Sequence, residues 1–152
     1  MAGWMYRKAR GRVGSDPSGE FVPININQTI VKGDIVVISA GMGSKAANAP
    51  GSGTIMGIAC SGLVVGGTRD ADDRIQVIYA GGVEWEVPVW QGGTKKTFAA
   101  TDIGSAFDIK ADTHSIDPDT TSASMILVGY DNTNKTARVV IKESAIALGL
   151  TG

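Results

Sequence analysis

Reactive side chains are scarce in this sequence. Its 152 residues include one cysteine, Cys60, and one histidine, His114. A single cysteine excludes an intramolecular disulfide and suits a reducing compartment. One Cys with one His cannot supply the ligands of a zinc site. Long apolar runs are missing too: the longest, such as residues 35–38, have strand length and fall far short of the ~18 residues of a membrane span. A membrane partner is therefore not expected. The four basic residues near the amino terminus are followed by no apolar stretch, so the segment does not read as a secretory signal. Charged residues make up 19% and hydrophobic residues 43%, which excludes the highly charged, weakly hydrophobic composition of disordered chains.

Glycine is abundant instead. There are 21 glycines without a collagen period, as expected where many tight turns join short strands. From residue 20 onward, short Val- and Ile-rich segments closed by Gly, Asn or Asp predict strands over 21–26, 34–39, 54–60, 74–80, 83–89, 106–109, 125–130 and 136–142. The expected fold is all-β, a compact β-barrel or β-sandwich, with one β domain over residues 20–152. At most a short helix over 143–150 ends it. Gly81-Gly82 and residues 131–134 have the chemistry of hairpin turns. In the first of these, Val83, Trp85, Val87 and Val89 should face the core and Glu84 and Glu86 the solvent. Pro88 lacks a donor and suggests an edge or a bulge. Residues 41–53 and 112–124 read as long, mobile or partner-facing loops.

Candidates for chemistry are isolated from one another. His114 sits in a polar stretch beside Asp112 and reads as a surface histidine. Cys60 ends an apolar strand without a basic neighbour in sequence and reads as a small buried hydrophobe. Glu84 and Glu86 share a strand face, but a glycosidase pair is normally drawn from different elements across a cleft. Asp70, Asp72 and Asp73 could hold a hard cation, yet they lack the spacing of an EF-hand loop, so a charged turn is the simpler reading. Gly92-Gly93-Thr94-Lys95-Lys96-Thr97 has the residue types of a phosphate loop in the wrong order. No catalytic residue, metal or cofactor is expected, and the chain reads as a non-enzyme.

The first 19 residues differ from the rest. Arg7, Lys8, Arg10 and Arg12 precede any acid, so residues 1–15 carry +4 while the remainder carries 10 − 15 = −5. Trp4 and Tyr6 interleave with these cations, and breakers follow at residues 14–19. An extended basic arm on an acidic body is expected, reaching on the order of 50 Å if ~15 residues are fully extended. It could grip nucleic acid, dock on an acidic protein surface, or remain a solvated tail. The acidic body would repel a polyanion, which favours protein docking and makes nucleic acid the weaker partner.

Several of these segments also occur in a familiar order. Val31 to Val37, then Gly57-Ile58-Ala59, Ile75-Gln76-Val77 and Gly82 to Pro88 resemble the small β-rich decoration, or cement, proteins of bacteriophage heads. Thr101 to Gly104, Phe107-Asp108-Ile109 and Val128 to Asp131 are similar to the second half of such proteins, so the resemblance covers about residues 21–142. It implies a barrel or β-tulip-like fold and a homotrimer seated on the outer surface of the virion. Its partner would be the major capsid protein, after assembly in the bacterial host cytoplasm. The family carries no catalytic residues, and the basic arm does not match its common pattern. Candidate capsid- or subunit-binding residues are Trp4, Tyr6, Arg7, Lys8, Arg10, Arg12 and Trp90. The competing expectation is a carbohydrate- or ligand-binding β module of a phage tail or surface protein, with Trp85 or Trp90 as a stacking platform.

Overall fold

A computed structural model describes residues 5–9, 19–51, 53–121 and 124–147. Thirteen strands run through them: β1 Met5–Ala9, β2 Gly19–Pro23, β3 Gln28–Ile30, β4 Ile35–Ser39, β5 Met42–Lys45, β6 Ile55–Ala59, β7 Leu63–Val65, β8 Arg74–Tyr79, β9 Val83–Pro88, β10 Ala106–Lys110, β11 Ser115–Thr121, β12 Met125–Asp131 and β13 Thr136–Ile141. Only three-residue helical turns accompany them, and no described helix is long and apolar enough to cross a membrane.

The strands form two antiparallel sheets and a small ladder. One sheet runs β1-β9-β13-β12-β10-β11, the other β2-β8-β6-β4-β5, and β3 pairs with β7. Both sheets curl. Ile24 bridges Gly43, bringing the two edges of the five-stranded sheet together, and Val89 bridges Ile116 across the six-stranded one. These are single bridges, so neither curl is a fully laddered barrel. Gly43 makes the first meeting possible, since a Cβ there would lie 3.0 Å from both the Ile24 and the Val36 side chains.

Two apolar cores follow from the curl. Trp85, Val87, Phe107, Ile109, Ile116, Met125, Leu127 and Val139 fill the larger one. Val22, Ile24, Ile30, Val36, Val65 and Val77 fill the smaller. Strands β4 and β6 serve both, because neighbouring residues point to opposite faces and a register shift opposite Val36 and Val37 resets the alternation within β6. Ile35, Ile55 and Ile58 enter the larger core while Val36, Met56 and Ala59 enter the smaller. This explains why β6 has no polar residue and is buried throughout. In its middle, a Cβ on Gly57 would fall 1.9 Å from the Ile78 carbonyl oxygen, so only glycine lets β8 approach.

All eight strands expected from the sequence are present, with several corrections around them. Gly81-Gly82 is not a hairpin: β8 and β9 belong to different sheets, and only Gly82 takes positive φ, +69°. The link is a corner between sheets, which needs the same left-handed glycine as a tight turn. Residues 131–134 do form the β12–β13 hairpin. The expected loop 41–53 contains β5, and the expected loop 112–124 contains β11. Residues of β11 such as Asp117 and Pro118 argue against a strand, yet buried Ile116 and the β10 ladder hold it in place, with a register shift where Pro118 falls. The helix expected over 143–150 is a single turn at Glu143–Ala145, after which Ile146 bridges Ile55; residues 148–150 lie outside the described set. Glu84, expected in solvent, is 1% exposed. Its strand is internal, flanked by β1 and β13. Pro88 lies beyond the described β1 ladder, where β9 keeps only its β13 partner.

Candidate functional site

The β9 face that carries Glu84 and Glu86 opens into the groove that is the candidate site. Arg138 of β13 stands opposite Glu86 on one side and Gly129 of β12 on the other. A Cβ at Gly129 would lie 2.1 Å from Arg138 Nη2, so the guanidinium lies across bare backbone. From there its Nη1 reaches to 3.7 Å from Glu84 Oε1. The buried carboxylate is thereby opposed by a cation that is itself 42% exposed. Glu86, Arg138, Tyr130, Asp131, Asn134 and Thr136 line an open groove of about 440 Å³ above this pair.

The hairpin turn builds the far wall. Asp131 Oδ1 accepts the N–H groups of Thr133 and Asn134, both at 3.0 Å, and its Oδ2 accepts from Asn134 Nδ2 at 2.7 Å. The backbone N–H of Asn134, then its side-chain amide, hold the Asp131 carboxyl below the usual carboxylate range. Although Asp131 and Glu86 share the groove, Asp131 is fixed as an ion and suits the role of acceptor. A proton donor for glycoside cleavage needs the opposite shift.

Trp90 lies two residues past the C-terminal end of β9, half-buried. Lys110 Nζ sits 4.3 Å from its ring centroid and 3.6 Å from Asp117 Oδ2. The Gly92-Gly93 backbone packs against the same ring; a Cβ on Gly92 would lie 2.6 Å from Trp90 Cζ2. Asp119 closes this cover by accepting the Lys95 N–H at 2.8 Å. The glycine-lysine stretch is thus a lid on an indole. Lys110 and the glycines occupy ring surface that a sugar would need. Trp85, the other proposed platform, is a core residue at 1% exposure and cannot stack on an external ligand.

Of the arm, Tyr6, Arg7 and Lys8 fall on β1, whose register sets Tyr6 opposite Trp85 and Lys8 opposite Glu84. Residues 5–9 are therefore an extended strand hydrogen-bonded to β9, which fixes them beside the groove. Trp4, Arg10 and Arg12 lie outside the described residues.

His114 is the largest departure from expectation, being a linked residue and not a plain surface one. It takes a left-handed conformation, φ +51°, after the turn that follows β10. Its Nε2 is 2.6 Å from Asp34 Oδ1. Asp34 is fully buried; its Oδ2 accepts the Val31 N–H at 2.8 Å, and Lys45 Nζ stands 3.6 Å from Oδ1. With Asp34 ionised, His114 Nε2 must carry the proton. Sequence reasoning had no route to this pair, since the partners are 80 positions apart.

Cys60 is half-buried, and desolvation pushes its thiol up more than the Ile78 backbone and Lys32 pull it down, which disfavours a reactive thiolate. The Asp70–Asp73 turn spends its carboxylates on its own backbone: Asp73 Oδ2 accepts the Asp70 N–H and Asp70 Oδ1 the Asp72 N–H. Among the described residues no group of three or more His, Cys, Asp and Glu side chains could hold a metal. No family model and no curated protein matches the sequence.

Proposed function

We propose that this chain is a structural decoration protein that binds the outside of a bacteriophage capsid lattice and braces the mature head. The observation that carries this reading is the distribution of exposed apolar side chains. Of the five large ones among the described residues, Phe21, Ile26, Val31 and Val64 belong to β2, β3, β7 and their connections, and only Ile103 lies elsewhere. On the β3–β7 ladder, Thr29 pairs with Val64 and Ile30 with Leu63. Alternation sends Ile30 and Val65 into the smaller core and leaves Val31 and Val64 outward. Val64 is 72% exposed. A ladder that holds Val64 in water, with Val31 exposed just past its end, offers an apolar contact surface to a partner.

The chain thereby offers two separate binding elements: this apolar ladder and the basic segment that begins with β1. A brace needs at least two contacts, one for each neighbour it joins. Repetition around a trimer and over a lattice raises weak contacts to firm attachment. On this reading the partner is the major capsid protein, the oligomer is a homotrimer, and the location is the outer surface of the virion. No catalytic step, membrane or nucleic acid takes part.

Co-sedimentation with mature, undecorated capsids tests the reading. The natural chain should pellet with the particles, and Val64→Glu should pellet at least about tenfold less, because a carboxylate set into a dry contact is strongly disfavoured. If the natural chain stays in the supernatant, or Val64→Glu binds as well as it does, the reading fails.

A further inference from the structure

We propose that the Asp34–His114 pair positions the exposed face of the β3–β7 ladder, by fixing the turn from which Val31 projects on the same side as Val64. This role rests on the reading of that face as the capsid contact. It falls to two residues that lie outside the face and set how it meets a partner.

The ladder needs such support. β3 and β7 have three residues each and pair with one another, apart from both sheets. A two-stranded unit of this size is at best marginally stable by itself in water. At the start of β3, the Lys45 N–H donates to Gln28 Oε1 at 3.0 Å. At its end, the Asp34 N–H donates to the Val31 carbonyl at 3.1 Å while Asp34 Oδ2 accepts the Val31 N–H at 2.8 Å. Both backbone polar groups of Val31 thus close on one residue. The turn between them takes φ +92° at Gly33 and is held to β6, where the Gly33 N–H donates to the Ala59 carbonyl and the Ala59 N–H to the Asp34 carbonyl, both at 2.9 Å. Gly62 lies flush against it: a Cβ there would be 3.1 Å from the Ile30 carbonyl oxygen and 3.7 Å from Val31 Cα.

The orientation of one carboxylate therefore sets where Val31 sits. Asp34 is fully buried, and a hydrogen bond left unmade by a buried charged group is costly, so its donors decide which way it faces. His114 Nε2 takes Oδ1 at 2.6 Å, with Lys45 Nζ at 3.6 Å, which leaves Oδ2 for Val31. His114 comes from the turn between β10 and β11, in the other sheet. Its φ of +51° is uncommon outside glycine, and its turn is braced by the Asp112 N–H donating to Asn48 Oδ1 at 3.2 Å and by the Thr113 and Ser115 hydroxyls 2.6 Å apart. An uncommon backbone conformation and a buried carboxylate meet at a single short bond, and the far side of that carboxylate holds the exposed Val31. The six-stranded sheet is thereby coupled to the contact face of the ladder.

His114→Asn and His114→Gln in the full chain test this. Asparagine tolerates positive φ but is too short to reach Asp34, whereas glutamine brings an amide N–H to the same oxygen. In ¹H–¹⁵N spectra taken well below the melting temperatures, His114→Asn should move the Val31, Gly62 and Val64 amide resonances, and His114→Gln should return them toward their natural positions. In co-sedimentation with mature, undecorated capsids, His114→Asn should bind about fivefold more weakly and His114→Gln within about twofold of the natural chain, the range of a residue that acts on a contact without touching it. Val139→Ala controls for stability alone. It opens a gap in the larger core, on the strand between β9 and β12, and should lower the melting temperature while leaving both readouts unchanged. The proposal is overturned if His114→Asn leaves the three resonances in place, if glutamine fails to restore them, or if Val139→Ala weakens binding as much as His114→Asn does. If the natural chain itself does not pellet, the capsid reading fails, and the resonances still decide whether the pair positions the face.

Discussion

Replacing His114 with alanine removes the shortest contact to a buried charge and should cost stability far beyond what a surface histidine would. The Asp34 carboxylate has no exposure of its own, and its Oδ1 lies 2.6 Å from His114 Nε2. Removing the hydrogen-bond partner of a buried charged group typically costs more than the ~1–3 kcal/mol of a neutral one. Here the loss is limited for two reasons. Lys45 remains 3.6 Å away and the Val31 N–H still serves Oδ2. The His114 side chain is also 14% exposed, so water can enter the space it leaves. About 2–3 kcal/mol is the expected cost, which for a chain of this size lowers the melting temperature by roughly 4–12 °C. Urea unfolding of the natural chain, His114→Ala, Asp34→Asn and the double variant gives the coupling between the two sites directly. A coupling of at least ~1 kcal/mol is expected, with an unchanged denaturant slope. A loss under ~0.5 kcal/mol for His114→Ala, or additive single variants, would refute the claim that this pair ties the β10–β11 turn to the start of β4.

Three further outcomes follow. Gly57→Ala forces a methyl group to 1.9 Å from a backbone oxygen that no rotamer change can move, so it should destabilise the chain by more than ~3 kcal/mol or prevent folding, whereas Gly41→Ala, where a Cβ meets nothing within 4 Å, should cost only the strain of its positive φ; equal losses in thermal melts would contradict the packing of β6 on β8. Asp102 and Asp131 both titrate below the ordinary aspartate value, the first through the Lys95 ammonium and the Ala99 N–H, the second through Asn134 and Thr133. A depressed folded pKa contributes stability that is complete above the unfolded value of 3.8 and disappears as pH falls through the folded value, so the Asp102→Asn, Asp131→Asn double variant should lose its deficit relative to the natural chain only below about pH 4; a deficit that persists unchanged to pH 2 would show another origin. Deleting residues 1–9 strips the strand that pairs with β9 and should lower the melting temperature of the body by several degrees, while deleting residues 1–4 leaves that ladder whole and should not; equal melting temperatures for the two truncations would refute the pairing.

Where the chain's strands alternate or carry β-branched runs, sequence alone locates them, since those patterns record burial directly. β6 and β13 are of this kind. The strands that escape notice record something else. β3 and β7 have three residues each, too short for a period. β5 is Met-Gly-Ser-Lys, a strand by virtue of what its glycine allows on the inner side. β11 carries acids and a proline and is held by Ile116 and by the neighbour it pairs with. Tertiary context overrides propensity in each, and propensity is weakest in strands.

The same logic separates the visible from the hidden parts of the site. Glu84 and Glu86 are conspicuous in sequence as alternating acids, but alternation cannot distinguish a wet face from a face roofed by other strands. Here the difference lies in topology. Because Gly81-Gly82 turns the chain into another sheet instead of back on itself, β9 enters between β1 and β13, and Glu84 meets Arg138 from a strand more than fifty positions later. Once that crossing exists, the remaining groove residues are determined: Gly129 must be bare for the guanidinium to lie flat, and the β12–β13 turn must stand at its end. A basic arm and an acidic body, legible as composition, become specific through the same strand. Lys8 lies in register with Glu84 on one side of β9 while Arg138 approaches Glu84 from the other, so the one buried acid of that face is the point where the first strand and the groove are joined.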